Sequence, residues 1–251
     1  MHDLLIYLAI AVAYLLAGSV KGVIGMGLPT VSLGLLAALL DLPTAMALLI
    51  VPSFATNLWQ ATSGEHTREI IRRFWPFFLS STLAITLGVM ALVRVNTAYL
   101  SILLGLLLIT YALLHLAGRR FTVPAPHEKS LGLLSGSLTG LLTGMTGSSL
   151  VPGVMYLQGL GLKPDRLVQA MGILFTANTV TLALALGKGQ VLTGELALIS
   201  TAAVIPAILG MRLGRRIRRN LSEERFKRVF FVGVLFLGLL IIVKTLILFG
   251  V

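Results

Sequence analysis

Lys21-Gly22-Val23-Ile24-Gly25-Met26-Gly27-Leu28-Pro29 interrupts an apolar run early in the chain, and Gly140-Leu141-Leu142-Thr143-Gly144-Met145-Thr146-Gly147-Ser148-Ser149 interrupts another in its second half. Both stretches put flexible glycine where a membrane-spanning segment is expected. Lipid offers a bare backbone no hydrogen-bond partner, so a break at membrane depth persists only where protein or a water-filled cavity lines it. A matched pair of breaks, one per half, is the pattern of a substrate site in a secondary transporter.

The sequence around the breaks fits that setting. Apolar residues make up 57% of the 251, charged residues 12%, and the mean hydropathy is +0.97. A soluble domain carries about 25% charged residues. The pattern predicts an all-α, polytopic membrane protein of 8–10 apolar segments in two inverted repeats, with broken or re-entrant helices at the glycine motifs. The segments fall at 4–20, 28–40, 43–62, 74–93, 97–117, 130–143, 148–161, 165–186, 194–211 and 227–249. The second, sixth and seventh are shorter than the ~20 residues a span needs. The alternating polarity of a membrane β-barrel is absent. Met1-His2-Asp3 lacks the basic start of a signal peptide, so the first segment is expected to be retained.

The halves, 1–124 and 125–251, correspond as membrane repeats of one transmembrane domain. Leu42-Pro43 matches Lys163-Pro164, and Phe54-Ala55-Thr56-Asn57 matches Phe175-Thr176-Ala177-Asn178, both 121 positions apart. Gly25-Met26 and Gly144-Met145 align 119 apart, and Gly105 and Gly233 lie in the last segment of each half. Prolines 43 and 164 suit helix starts, and Asn96, Thr193 and Ser222, the last with Glu223 and Glu224, suit N-caps. Of the 20 Lys and Arg residues, 17 fall in odd-numbered connections. The positive-inside rule makes those connections cytoplasmic and both termini extracytoplasmic. The implied location is a bacterial inner or plasma membrane. The basic stretch from Arg212 to Arg228 reads as a solvated loop fixing that orientation.

The candidate ligand-binding residues cluster at the breaks: Lys21, Gly22, Gly25, Met26, Gly27 and Thr30 in the first, Thr143, Gly144, Met145, Thr146, Gly147, Ser148 and Ser149 in the second. Asn57 and Asn178 join them as amides at matched positions inside apolar helices. Backbone N–H groups at a helix start favour an anion, hydroxyls add donors, and Lys21 adds a cation whose natural partner in a membrane is an anionic substrate. Snorkelling of Lys21 to water and interhelical bonding by the asparagines are the competing structural readings. Gly132, Gly136, Gly140 and Gly144 form a stripe on the sixth segment. Ala9, Ala13, Ala17, Gly18 and Gly22 form a looser one on the first. Both read as close helix packing about a pseudo-two-fold axis. Gln169 lies off the face of Asn178, and Trp59 and Gln60 read as interfacial.

Several functions are disfavoured. The chain has no cysteine, and its histidines at 2, 66, 115 and 127 show no metal-ligand spacing. No metal site, cofactor or enzymatic activity is expected, and no nucleotide-binding loop is present. Nucleic acid is an unsuitable partner despite the net charge of +11, because the charge sits in short loops. No carboxylate lies mid-segment, which argues against a carboxylate proton relay and leaves uniport, a coupling proton carried on a protonated anion, or a coupling cation held by backbone carbonyls. The expected partners are a small anion, the lipid bilayer and a possible second copy of the chain.

Gly22-Val23-Ile24-Gly25-Met26-Gly27 with Pro29, and Gly140 through Gly147 with Pro152, resemble the sulfite-exporter (TauE/SafE) family of membrane permeases over essentially the whole chain. The resemblance implies a secondary transporter or exporter of small sulfur-containing anions such as sulfite, a sulfonate or a related organosulfur acid. Family members often carry further glycines after the first motif, where this chain has Leu28-Pro29. The second copy has an extra residue. A carboxylate permease and a non-transporting membrane assembly or sensing subunit are the alternatives.

Overall fold

The computed structural model describes residues 2–119, 121–218 and 222–249, without the side chains of residues 2, 3 and 223. The expectations that involve Met1, Arg120, Arg219 and the Glu223 side chain lie outside the described residues. Within them the chain is helical, with no strand. The first half comprises α1 (His2–Ile24), α2 (Leu28–Leu39), α3 (Leu42–Leu48), α4 (Ile50–Thr62), α5 (Thr67–Leu92) and α6 (Thr97–Leu116). The second comprises α7 (Glu128–Thr146), a π turn (Leu150–Val154), α8 (Met155–Gly159), α9 (Pro164–Lys188), α10 (Gly194–Ala202), α11 (Val204–Ile217) and α12 (Glu223–Phe249).

Local chemistry sets these boundaries. Asp41 caps α3 by accepting from Thr44 N at 2.9 Å, just before Pro43. Asn96 accepts from Ala98 N at 2.9 Å to open α6, and Thr193 from Leu196 N at 3.3 Å to open α10. Ser222 Oγ lies 3.5 Å from Arg225 N at the start of α12. Inside α5, Pro76 removes a ladder bond, and the helix kinks at Phe74 (φ −111°, ψ 16°).

Six helical stretches among the described residues are long and apolar enough to cross a membrane, counting α10 and α11 as one; α3 and α4, bent by 44°, make a seventh. The three shortest predicted segments account for the difference from the sequence count. The second is the 12-residue α2. The sixth is α7, whose glycines and hydroxyls dilute its hydropathy. The seventh is not one helix but the π turn followed by the five-residue α8. Outward-facing Leu83, Leu87, Leu184, Leu198, Ile205 and Ile247 give the bundle an apolar exterior. The protein is an integral, multi-pass membrane protein.

Packing crosses between the halves. Helix α7 lies against α5, α1 against α11, α6 against α12 and α4 against α9. The two small-residue stripes therefore do not meet at an axis, as the sequence suggested. A Cβ on Gly140 would strike the Ser81 carbonyl, and one on Gly144 would stand 2.7 Å from Gly88 Cα. Gly22 and Gly214 make the corresponding approach between α1 and α11, at 3.0 Å. Gly105 of α6 and Gly238 of α12 face each other, each close to the other's carbonyl. Small residues allow backbones this near, which is how membrane helices gain packing contacts without a hydrophobic driving force.

Two polar side chains repair the ends of broken helices. Ser200 of α10 donates to Leu48 O at 2.6 Å and accepts from Val51 N at 3.1 Å, satisfying the α3–α4 bend. Lys244 of α12 donates to Leu40 O at 2.7 Å and Ala37 O at 3.3 Å, closing the carbonyl end of α2.

Candidate functional site

Both helices that lead into the breaks end in the same way. Gly25 N donates to Lys21 O at 2.9 Å and Gly147 N to Thr143 O at 2.7 Å. Each glycine then turns left-handed, φ 77° and 78°, a conformation that a side chain would strain. The breaks thus correspond through Gly25 and Gly147, 122 positions apart, three more than the glycine-methionine alignment gave. In this register Lys21 corresponds to Thr143.

Lys21 is 5% exposed. Its ammonium donates to Asn57 Oδ1 and, at 3.2 Å, to Thr56 Oγ1. Thr56 in turn donates to Pro52 O at 2.8 Å. Asn57 is 1% exposed and its Nδ2 has no hydrogen-bond partner in the protein. A buried amide group without a partner costs about 1–3 kcal/mol, so an acceptor for it is worth having. Lys21 and Asn57 together present a cation and a free N–H donor and leave no unanswered acceptor.

Lys21 lines a cavity of about 700 Å³ together with Gly22, Gly25, Thr56 and Gln60, and Asn57 is buried behind it. Its outer wall carries Arg212, Arg215 and Arg218, spaced three apart along one face of α11 and its end, against a single acid, Asp165. None of these arginines has a partner among the described residues. Charges of one sign around a low-dielectric funnel raise the local concentration of the opposite ion.

At the second break the charge is missing. Thr143 Oγ1 donates to Thr139 O at 2.7 Å and stands 2.7 Å from Ser149 Oγ. Asn178 Nδ2 donates to Ser149 Oγ at 3.1 Å, while Asn178 Oδ1 accepts from Ser81 Oγ at 3.0 Å. Ser148 Oγ is buried without a partner. The enclosing cavity, lined by Thr30, Thr143, Gly147, Ser148, Ser149 and Asn178 among others, measures about 20 Å³. That holds roughly one water-sized particle. A third, smaller cavity lies between the two breaks, walled by Met26, Gly27, Thr30, Met171 and Phe175. Thr30 and Phe175 belong to both small cavities.

A family model described as sulfite exporter TauE/SafE matches residues 10–241. The chain belongs to that family. No curated protein and no solved structure matches it. Membership of the TauE/SafE family makes the protein a membrane permease of sulfur anions in general, with a small anion as its partner.

Against this TauE/SafE frame, the predicted site residues divide. Lys21, Gly22 and Gly25 line the vestibule, with Asn57 bonded to Lys21 behind them, although Gly22 also serves the α1–α11 contact. Met26, Gly27 and Thr30 line the middle chamber. Thr143, Gly147, Ser148, Ser149 and Asn178 form the second cluster. Gly144, Met145 and Thr146 line none of the three cavities: Gly144 packs on α5, Met145 packs on the apolar core, and Thr146 Oγ1 donates to Leu142 O at 2.7 Å and accepts from Ser148 N.

Sequence reasoning missed Thr56, Phe175 and the vestibule arginines. Arg212, Arg215 and Arg216 were assigned to a loop, but α11 continues to Ile217 and carries them. The 3-residue spacing of Arg212, Arg215 and Arg218 was the available signal. Gln60 is buried, not interfacial, and donates to Val168 O at 2.6 Å. Gln169 ties the α4–α5 loop through Ala61 O, Gly64 O and Thr67 Oγ1. Trp59 is exposed. Among the described residues, no three His, Cys, Asp or Glu side chains gather as a metal site.

Proposed function

We propose that the chain is a secondary transporter or exporter of a small sulfur oxyanion or organosulfur acid, sulfite being the first candidate, working by alternating access across an inner or plasma membrane. The anion binds at the first break, between the Lys21 ammonium and the Asn57 amide. The observation that carries this reading is a buried lysine on the wall of a basic vestibule, bonded to an asparagine whose buried amide N–H has no partner.

Sulfite presents only acceptors, and these two groups present only free donors. An intramembrane cation without a carboxylate partner is costly and points to an anionic ligand. By the positive-inside rule the arginine-rich mouth faces the cytoplasm, so the vestibule collects anion from inside. We read residues 1–124 and 125–251 as inverted repeats; the crossed packing of α1 on α11 and α7 on α5 supports this. Rocking of one repeat against the other would expose the site to each side in turn.

The test is flux. Protein in liposomes preloaded with sulfite, thiosulfate, a sulfonate or acetate is followed for efflux, with and without a pH gradient. Saturable efflux of a sulfur anion, abolished in Lys21→Ala and strongly reduced in Asn57→Ala while both variants keep native melting profiles, is the expected result. Acetate efflux alone would make the chain a carboxylate permease. No flux of any anion from folded protein would overturn the transport reading in favour of an assembly or sensing role.

A further inference from the structure

The two breaks end their helices with one bond geometry and then treat charge differently. At the first, a nitrogen cation is covalently tethered: the Lys21 ammonium sits among the neutral oxygens Thr56 Oγ1 and Asn57 Oδ1. At the second, Thr143 stands in the place of the lysine, the last turn of α7 holds no basic residue, and Asn178 repeats Asn57. The oxygen shell is kept and the cation is left out. We propose that the second break binds a free, unhydrated monovalent cation, sodium in the first instance, between Thr143, Ser148, Ser149 and Asn178.

Size, donor chemistry and an unmet hydrogen-bonding atom converge on this assignment. The chamber of about 20 Å³ accepts a single-atom ion. Sulfite, with four heavy atoms, does not fit there. Beside apolar residues such as Leu33, Leu49, Leu150 and Leu182, the polar groups lining it are hydroxyls and an amide, without a carboxylate, imidazole or thiol. Divalent ions call for carboxylates, and transition metals for nitrogen or sulfur; neutral oxygens suit a hard monovalent ion.

Ser148, 5% exposed, lines the chamber with an Oγ that nothing in the protein engages. Thr143 and Ser149 hold their hydroxyls 2.7 Å apart on the same wall. The Asn178 amide bonds Ser149 through its nitrogen, and a half-turn about its last bond offers Oδ1 to the ion and Nδ2 to Ser81. The carbonyl end of α7 contributes negative partial charge. The first turn of α2, through Pro29 and Thr30, lies on the same wall with the opposite sign, which keeps the affinity moderate and the ion exchangeable. The binding claim stands on these residues alone; only the ion's role, coupling its gradient to the anion, rests on the transporter reading.

The first readout is thermal stability of the purified full-length protein without any sulfur anion, in sodium, potassium or choline chloride at equal ionic strength. Sodium is expected to raise Tm saturably, and choline is not. Ser148→Ala, which removes a hydroxyl bonded to nothing, and Thr143→Val are expected to abolish the sodium response. Thr143→Lys is expected to mimic bound sodium, giving a raised Tm that no longer responds to it. The second readout is sulfite flux in liposomes with sodium replaced by choline, which is expected to slow transport severalfold or more. Flux indifferent to sodium together with an absent Tm shift overturns the cation site and leaves the transporter standing. A sodium shift that disappears in Ser148→Ala, in protein that moves no anion, upholds the site and overturns the transporter. A sodium shift untouched by either substitution overturns the site.

Discussion

At the first break a lysine ammonium lies buried at the floor of a 700 Å³ basic vestibule; at the second, a threonine holds the same place in a chamber of about 20 Å³. The frame is shared down to a left-handed glycine four residues on and an asparagine on the facing helix. Backbone geometry recurs at both breaks because glycine and helix ends dictate it. Charge is set by one side chain and is free to diverge. One break is open and cationic, the other closed and neutral, and the proposed division of work between them rests on that asymmetry.

The strongest challenge to the comparison exchanges amide for acid in each half. Asn57→Asp would place a carboxylate on the Lys21 ammonium and neutralise it internally, so kcat/KM for sulfite is expected to fall about 100-fold. Asn178→Asp would put the same acid beside hydroxyls, with no lysine to neutralise, and is expected to lose anion transport far less and to bind sodium more tightly. Equal losses in both assays would mean that the two clusters are not chemically distinct.

A smaller effect separates the two left-handed glycines. Gly25→Ala meets nothing nearer than Val168 at 3.8 Å, so only backbone strain of about 1–2 kcal/mol applies. Gly147→Ala meets Met46 at 3.0 Å and Leu33 at 3.2 Å as well, adding overpacking of about 1–3 kcal/mol. Thermal unfolding of the two variants is expected to rank Gly147→Ala below Gly25→Ala. A third pair, Gly22→Ala and Gly144→Ala, is expected to lower Tm by similar amounts, since both glycines sit at the crossed helix contacts.

The least effect belongs to the vestibule. Arg212→Gln or Arg215→Gln is expected to raise the sulfite KM about twofold to threefold at low ionic strength, and the difference is expected to vanish near 0.5 M salt as charges become screened. A salt-independent change would show that the arginine touches the anion directly.

Much of this was readable from residue types. Pro43, Asn96 and Thr193 announced helix starts because their side chains satisfy or spare the first N–H groups. Lys21, Asn57 and Asn178 stood out because polar atoms in apolar helices must find partners. The partner of each glycine stripe was not readable: a row of small residues reports that something comes close without naming it, and α5 and α11 supply that surface through backbone. The register of the breaks slipped by three because three glycines in the first motif offered several alignments, and only the bonds from Gly25 N and Gly147 N distinguish among them. Gln60 looked interfacial from its place near a helix end, but the tightness of the α4–α9 contact at Gly172 draws it inside.

The middle chamber and the chamber at the second break are separate, and their shared walls include Phe175. A continuous water thread would let protons leak and dissipate the membrane potential on which the cell's other machinery depends. Separate compartments act as insulation: the bilayer stays electrically tight while the protein rests, and abundant copies can be kept in it without draining its stored energy.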